Sequence, residues 1–208
     1  MIGNDVVDLD DPETRSGAHH PRFDARVFCA AERRLLRTSA AVDRLRWILW
    51  AAKESAYKAA RRVDPYTVFA PERFVVRPDD GGGTAEAADC RRFTVTTGDR
   101  RFHVRTSGGR EHVHAVAVAA DTGALAMCAR VTSPACGVLD ASVAARRFAI
   151  ATLARVLHES PAALAIEREA RMPVLWVRGR RSRVTLSLSH HGRYVAFAGA
   201  FSPPERAP

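Results

Sequence analysis

The pattern of hydrophobic and polar positions divides this chain into two halves in which strands and helices follow a similar order. Apolar residues that alternate with polar ones predict strands, and apolar residues spaced three and four apart predict amphipathic helices. In the first half, the pattern predicts a strand, two helices and four further strands, at residues 1–9, 25–37, 40–62, 73–77, 91–97, 100–106 and 112–120. The second helix is the longest, and it ends before Pro65 because a residue that precedes proline avoids helical backbone geometry.

The pattern begins again after residue 121. The second half is predicted to contain a strand, a helix and four strands, at residues 124–132, 140–159, 163–169, 172–179, 183–189 and 193–201. Glycines between strands, at Gly81–Gly83, Gly98 and Gly108, favour hairpin turns. We therefore predict an α+β fold of two similar lobes, residues 1–121 and 122–208, each with a long helix packed on a mainly antiparallel sheet. The active site is expected between the lobes.

Composition is typical of a folded protein, with 47% hydrophobic and 26% charged residues. No run approaches the roughly 18 consecutive apolar residues of a membrane span, and the acidic start lacks the layout of a signal peptide. We therefore expect a cytoplasmic protein that does not contact a membrane. The four cysteines form no Cys-x-x-Cys pair, which favours buried free thiols over a metal or disulfide role.

The net charge of +9 narrows the class of partner. Arginine pairs are spread along the chain without a recognised nucleic-acid module, so the charge favours phosphate-bearing ligands or an acidic protein partner. A basic nucleic-acid binder is the weaker alternative, and a steep salt dependence of binding to DNA would identify it.

Lysine is rare in this chain, since only 2 of its 32 Lys+Arg residues are lysine. Both lie in residues 50–58, WAAKESAYK, where Lys53 and Lys58 flank Glu54. Glu54 and Lys58 are four residues apart and share one helix face, which alone is typical of a surface ion pair. A compact ammonium differs from a planar guanidinium at a crowded phosphate, so the choice of lysine favours a phosphate site.

A phosphate site with a divalent cation needs a second carboxylate, and Asp5 is the candidate. It lies on the first predicted strand, and the nearby Gly3 allows close backbone approach. The alternative is a strand-end acid. In residues 187–190, SLSH, alternation places Ser187 and Ser189 on one face and presents His190 at the strand end, where it meets a phosphate or simply lies in a turn.

These segments together resemble the 4′-phosphopantetheinyl transferase superfamily. The marks of that family are a Gly-x-Asp strand, a Trp/Phe-x-x-Lys-Glu-Ala/Ser-x-x-Lys helix, and a Ser-x-Ser-His strand end preceded by a basic-x-Pro turn. Here they stand as Gly3–Asp5, residues 50–58, residues 187–190 and Arg171–Pro173.

The resemblance implies transfer of the phosphopantetheine arm of coenzyme A to a serine of an apo acyl or peptidyl carrier protein, with release of adenosine 3′,5′-bisphosphate. The carrier can belong to fatty-acid, polyketide or nonribosomal peptide synthesis. Asp5 and Glu54 would hold Mg²⁺, or Mn²⁺, against the coenzyme A pyrophosphate. Glu54 would also take the serine proton, and Lys58 would contact a pyrophosphate oxygen.

The resemblance also implies the remaining contacts with coenzyme A. Ser189 and His190 would bind one of its phosphates, and Arg171 and Pro173 would border the nucleotide. Lys53 would be an auxiliary phosphate contact or a structural residue. The arginines near the motif helix are candidate contacts for the acidic helix of a carrier, namely Arg22, Arg26 and Arg33.

Two features depart from the larger, two-lobed members. Val7 stands where they usually have a second acid, and Asp8 should point to the opposite face of the strand. The order of motifs matches the small, trimeric holo-acyl-carrier-protein synthases, whereas the length matches the two-lobed members. We predict a pseudo-dimeric monomer with one active site; the alternative is a non-catalytic homologue that binds coenzyme A or a carrier protein.

Overall fold

The computed structural model describes residues 1–79, 90–120, 126–132 and 140–201. Two antiparallel sheets of five strands, each covered by a long helix, confirm the predicted α+β architecture. The first sheet has the order β1-β5-β4-β3-β2. Its strands are β1 (Ile2–Asp8), β2 (Val75–Pro78), β3 (Arg91–Thr97), β4 (Arg100–Ser107) and β5 (His112–Ala119). The predicted turn at Gly81–Gly83 and the predicted boundary at residue 121 lie outside the described residues.

The second sheet has the order β6-β10-β9-β8-β7. Its strands are β6 (Ala126–Thr132), β7 (Leu164–Glu169), β8 (Met172–Val177), β9 (Arg180–His191) and β10 (Tyr194–Phe201). We call the first sheet with its helices the first lobe, and the second sheet with its helix the second lobe. In both sheets the strand that opens the lobe pairs with the last strand of that lobe, β1 with β5 and β6 with β10.

Among the described residues, three α-helices belong to the first lobe and one to the second. They are α1 (Phe23–Val27), α2 (Ala30–Thr38), α3 (Val42–Val63) and α4 (Ala141–Val156). The single helix predicted at residues 25–37 is wrong, because the chain is extended at Phe28 and Cys29 and thereby separates α1 from α2. The Cys29 amide donates to the carboxylate of Glu32 at 2.8 Å, which caps α2.

Small residues let α3 lie close to the first sheet. Ala52, Ala56 and Ala59 are fully buried on the face that α3 turns toward the strands. In the second lobe, Leu153 of α4 packs against β-strand residues that include Phe197. Each lobe therefore has its own apolar core, as expected when a helix covers one face of a sheet.

Strand β1 lies between the two lobes and is buried along its whole length. Because side chains alternate along a strand, its odd-numbered residues face α3 and its even-numbered residues face the second lobe. Gly3 packs against α3, whereas Ile2 contacts Ala198 and Ala200 of β10. The side chains of a motif on β1 are therefore divided between the surface that faces α3 and the surface that faces the second lobe. This division decides which of them can reach the candidate site.

Cys29 and Cys90 are free thiols, as predicted, but both are half-buried instead of fully buried. None of the helices in the described part of the chain is long and apolar enough to cross a membrane.

Candidate active site

The first-lobe face of β1 brings Asp5 against the middle of α3. The Lys58 ammonium donates to Asp5 Oδ1 at 2.7 Å. This contact depends on Gly3, because a Cβ there would lie 2.1 Å from the Ser55 carbonyl oxygen and 2.5 Å from the Ala59 amide nitrogen. The close backbone approach that Gly3 was expected to allow is therefore present.

Glu54 lies one helical turn before Lys58 and is half-buried. Burial, as the largest cause, and the negative charge of Asp5 together raise the pKa of its carboxyl group to about 7, although Lys58 acts to lower it. The Glu54 and Asp5 carboxylates are therefore close enough to repel each other, at a site that is partly shielded from water. Two carboxylates that repel each other offer the hard oxygen donors that a divalent cation prefers, so the donor set fits such an ion.

Lys53 does not face this site. The predicted contact of Lys53 with a phosphate is therefore wrong, and its role is structural. Its side chain is 0% exposed and its ammonium lies 2.8 Å from Glu32 Oε2. The same ammonium donates to the carbonyl oxygens of Phe74 at 2.5 Å and Pro71 at 3.0 Å. Three acceptors satisfy its three N–H groups, so Lys53 joins α3 to α2 and to the segment before β2.

The second-lobe face of β1 carries a buried polar network centred on Asn4. Its backbone amide donates to Ser187 Oγ at 3.0 Å, and its side-chain amide donates to Ser189 Oγ at 2.9 Å. The same side chain lies 3.2 Å from Nε2 of His114, whose pKa falls to about 4 mainly because of burial and also because of the charges of His112 and Lys58. Both serines of the Ser-x-Ser-His motif therefore join the lobes.

His190 lies on the opposite face of β9 from Ser187 and Ser189 and is exposed. The predicted strand end at His190 is wrong, because β9 continues through His191. Ser189 and His190 cannot therefore contact one phosphate with their side chains from the same side of the strand. The Ser189 hydroxyl contacts Asn4 instead, as described above.

Asp8 is on the second-lobe face of β1, as its offset of three from Asp5 predicts. Its carboxylate accepts from Arg193 Nε at 2.9 Å, Arg193 Nη2 at 2.8 Å and the Arg193 amide at 2.9 Å. The hydrogen bonds from Arg193 lower the pKa of Asp8 to about 2 even though burial acts to raise it. Asp8 is therefore a lobe-joining residue and not a substitute for the acid that Val7 replaces.

Arg171 and Pro173 lie at the hairpin between β7 and β8. Arg171 is exposed and has a φ of 68°, in the left-handed region, which is typical of a tight turn. The carbonyl oxygen of Pro173 accepts from Arg62 Nη2 of α3 at 3.4 Å. The basic-x-Pro turn therefore meets the same face of α3 that carries Glu54 and Lys58.

A second group of possible metal donors, Asp11, Glu13 and His191, has its ligand atoms within 4.8 Å of one another. However, His191 Nδ1 accepts from the Asp8 amide at 3.1 Å. In the neutral ring the proton then lies on Nε2, which leaves neither nitrogen with a free lone pair for a metal. We therefore place the candidate metal site at Asp5 and Glu54.

The sequence pattern missed Asn4, His114 and Arg62. Asn4 was detectable as a polar residue inside an otherwise apolar strand, and Arg62 as the next member of the series that begins with Glu54 and Lys58. His114 carried no such signal, because its position in a strand of alternating alanines and valines does not reveal its partner.

The comparison with protein families agrees with this geometry. The model of the 4′-phosphopantetheinyl transferase superfamily matches residues 1–118, which is more than half of the 208-residue chain and includes Asp5, Glu54 and Lys58. No curated protein matches the chain. Members of the family act on coenzyme A and carrier proteins and typically use a divalent metal ion. The chain therefore belongs to the 4′-phosphopantetheinyl transferase superfamily, whose membership implies a phosphopantetheinyl transferase.

Proposed function

We propose that this protein transfers the 4′-phosphopantetheine group of coenzyme A to the serine of an apo acyl or peptidyl carrier protein, in the manner of a holo-acyl-carrier-protein synthase. The reaction depends on Mg²⁺ and releases adenosine 3′,5′-bisphosphate. The observation that carries this proposal is the convergence of Asp5, Glu54 and Lys58 in one partly desolvated place, with Lys58 2.7 Å from Asp5.

Asp5 and Glu54 would hold the metal ion. When bound, Mg²⁺ neutralises the negative charge that develops on the leaving phosphate. Lys58, whose side chain is 30% exposed, adds a positive charge that can turn from Asp5 toward a pyrophosphate oxygen. Because burial reduces the screening of these charges, each contributes more here than it would in water.

Glu54 is also the proposed acceptor of the proton from the serine hydroxyl, directly or through a water molecule. The serine oxygen then attacks the phosphorus that bears the pantetheine arm, the phosphorus–oxygen bond to the nucleotide breaks, and adenosine 3′,5′-bisphosphate leaves. Arg171, Pro173 and the exposed ring of His190 are proposed contacts with the nucleotide part of coenzyme A.

The positive charge of the chain supports an acidic partner. Arg22 immediately precedes α1 and Arg26 lies in it; both are exposed and are proposed contacts with the acidic helix of a carrier protein. Arg33 is partly committed to the fold, because its Nη1 donates to the carbonyl oxygen of Phe28 at 2.5 Å. We therefore give Arg22 and Arg26 more weight than Arg33 in carrier binding.

Val7 is the observation that favours a second candidate, a homologue that binds coenzyme A or a carrier protein without transfer. Valine supplies no carboxylate at that position, and its side chain is 2% exposed and packs in the core of the first lobe. Asp5 and Glu54 alone would then supply the protein ligands of the metal.

Intact-protein mass spectrometry tests the proposal. A panel of apo carrier proteins is incubated with coenzyme A, Mg²⁺ and either wild type, Glu54→Gln or Glu13→Gln. We expect a mass gain of one phosphopantetheine with wild type and with Glu13→Gln, and its loss with Glu54→Gln or a chelator. Coenzyme A binding without any mass gain would instead support the non-catalytic homologue.

A further inference from the structure

Arg62 continues the series of charged residues on one face of α3. Glu54, Lys58 and Arg62 are spaced by four residues, so their side chains follow one another along the helix surface. Arg62 is half-buried where α3 meets the second lobe. Its contact there is a long hydrogen bond, 3.4 Å, to the carbonyl oxygen of Pro173.

No carboxylate pairs with Arg62 in the described part of the chain. Burial lowers the pKa of its guanidinium to about 10, and the residues that the structure describes supply no acid that offsets this effect. Arg46 shows the usual arrangement, because its guanidinium contacts Asp24 at 2.8 Å and Asp43 at 2.5 Å. A desolvated cation without a counter-charge destabilises the fold, which indicates that an anionic ligand supplies the missing charge.

The position of Arg62 selects among the anionic groups of coenzyme A. Eight residues of helix place its backbone about 12 Å along the axis from Glu54, with Lys58 in between. The pyrophosphate is proposed to lie beside Asp5, Glu54 and Lys58, and Arg62 stands one helical turn, about 6 Å, beyond Lys58. The remaining phosphate is on the ribose, and a guanidinium fork suits its bidentate recognition.

We propose that Arg62 binds the ribose 3′-phosphate of coenzyme A and makes the site select coenzyme A over dephospho-coenzyme A, which lacks that phosphate. This assignment rests on the proposed function. Pro173 then has a defined role, because its carbonyl oxygen holds the guanidinium at the lobe junction until the phosphate arrives.

Isothermal titration calorimetry with coenzyme A and with dephospho-coenzyme A, without a carrier protein, measures this selectivity. Wild type is expected to bind coenzyme A roughly 10–150-fold more tightly, the range of a charge-assisted hydrogen bond. Arg62→Ala should lose most of that ratio, with dephospho-coenzyme A affinity changed by no more than about two-fold. Arg61→Ala is the matched control, since Arg61 lies over the Tyr57 ring, 5.8 Å from its centroid, and should keep the ratio.

An equal loss of affinity for both ligands in Arg62→Ala would overturn the assignment and point to the pyrophosphate. An unchanged ratio would overturn it as well and make Arg62 structural. If Arg62→Ala does not fold, Arg62→Gln replaces it with the same expectation. The proposed transfer is tested separately: wild type that binds coenzyme A selectively through Arg62 but modifies no carrier would refute the transfer and support the Arg62 assignment.

Discussion

The Asp8→Asn substitution tests whether the Asp8–Arg193 contact holds the two lobes together. Asp8 is buried on β1, and its carboxylate accepts three hydrogen bonds from Arg193 of the second lobe and one, at 3.0 Å, from the Asp10 amide. Asparagine keeps the shape of the side chain but removes the negative charge and one of the two acceptor oxygens. Asp8→Asn therefore weakens the ionic part of the contact without leaving a cavity.

The size of the effect follows from the pKa of Asp8, which is lowered from 3.8 to about 2. One pKa unit corresponds to about 1.4 kcal/mol, so ionised Asp8 contributes about 2 kcal/mol to the free energy of unfolding. Because the folded pKa is depressed, this contribution is fully present above pH 3.8 and is lost as the pH falls through 2. Wild type and Asp8→Asn should therefore differ by about 2 kcal/mol at pH 7 and by progressively less below pH 4.

Urea denaturation followed by circular dichroism, at pH 7 and at steps down to pH 3, measures this difference. Asp10→Asn is the matched control, because Asp10 contacts the same arginine at 2.6 Å but has a side chain that is 58% exposed. Its loss should stay below about 1 kcal/mol, as for other exposed ion pairs. Equal losses in the two variants, or a difference for Asp8→Asn that does not change with pH, would refute the reasoning.

Further substitutions test the buried contacts of β1, α3 and β5. Gly3→Ala should lower the free energy of unfolding by about 2–3 kcal/mol and abolish transfer, because its Cβ would overlap the Ser55 carbonyl oxygen; thermal melting and the carrier assay measure both, and full activity would contradict the close approach. Lys53→Met should lower the free energy of unfolding by about 3–5 kcal/mol in urea denaturation, because the buried Glu32 charge loses its cation, and adding Glu32→Gln should restore part of that loss. Wild type should lose about 3 kcal/mol of stability as the pH falls from 6.5 toward 4, because the depressed pKa of His114 means that the folded state favours the neutral ring. His114→Gln should not show this loss, and parallel pH profiles of the two proteins would argue against the reasoning.

Much of the architecture followed from local patterns. The spacing of apolar residues predicted α3 and the ten strands of the described residues with errors of a few residues at their ends, since an amphipathic helix or strand must turn one face to a core wherever it lies; β2 begins two residues later than predicted, after a helical turn at Pro71–Arg73. The break between α1 and α2 was missed, because it depends on a buried Glu32 whose partners include the Val76 amide, 44 residues away in the chain.

The candidate site shows the same division. Alternation along β1 was enough to separate Asp5 from Asp8, and helical spacing was enough to place Glu54 beside Lys58. Both inferences use only the geometry of one element. They required no knowledge of which elements pack against each other.

What the sequence by itself determined is therefore the content of each element and the face on which each charged residue stands. The tertiary structure alone decided which faces meet: it buried Lys53 on Glu32, turned Ser189 toward Asn4 across 185 residues of chain, and placed Arg62 beside Pro173 with no carboxylate partner among the described residues. The physical reason is that a periodic pattern reports the orientation of a side chain relative to its own backbone. Whether that side chain is paired, buried or available to a ligand depends on the surface that packs opposite it.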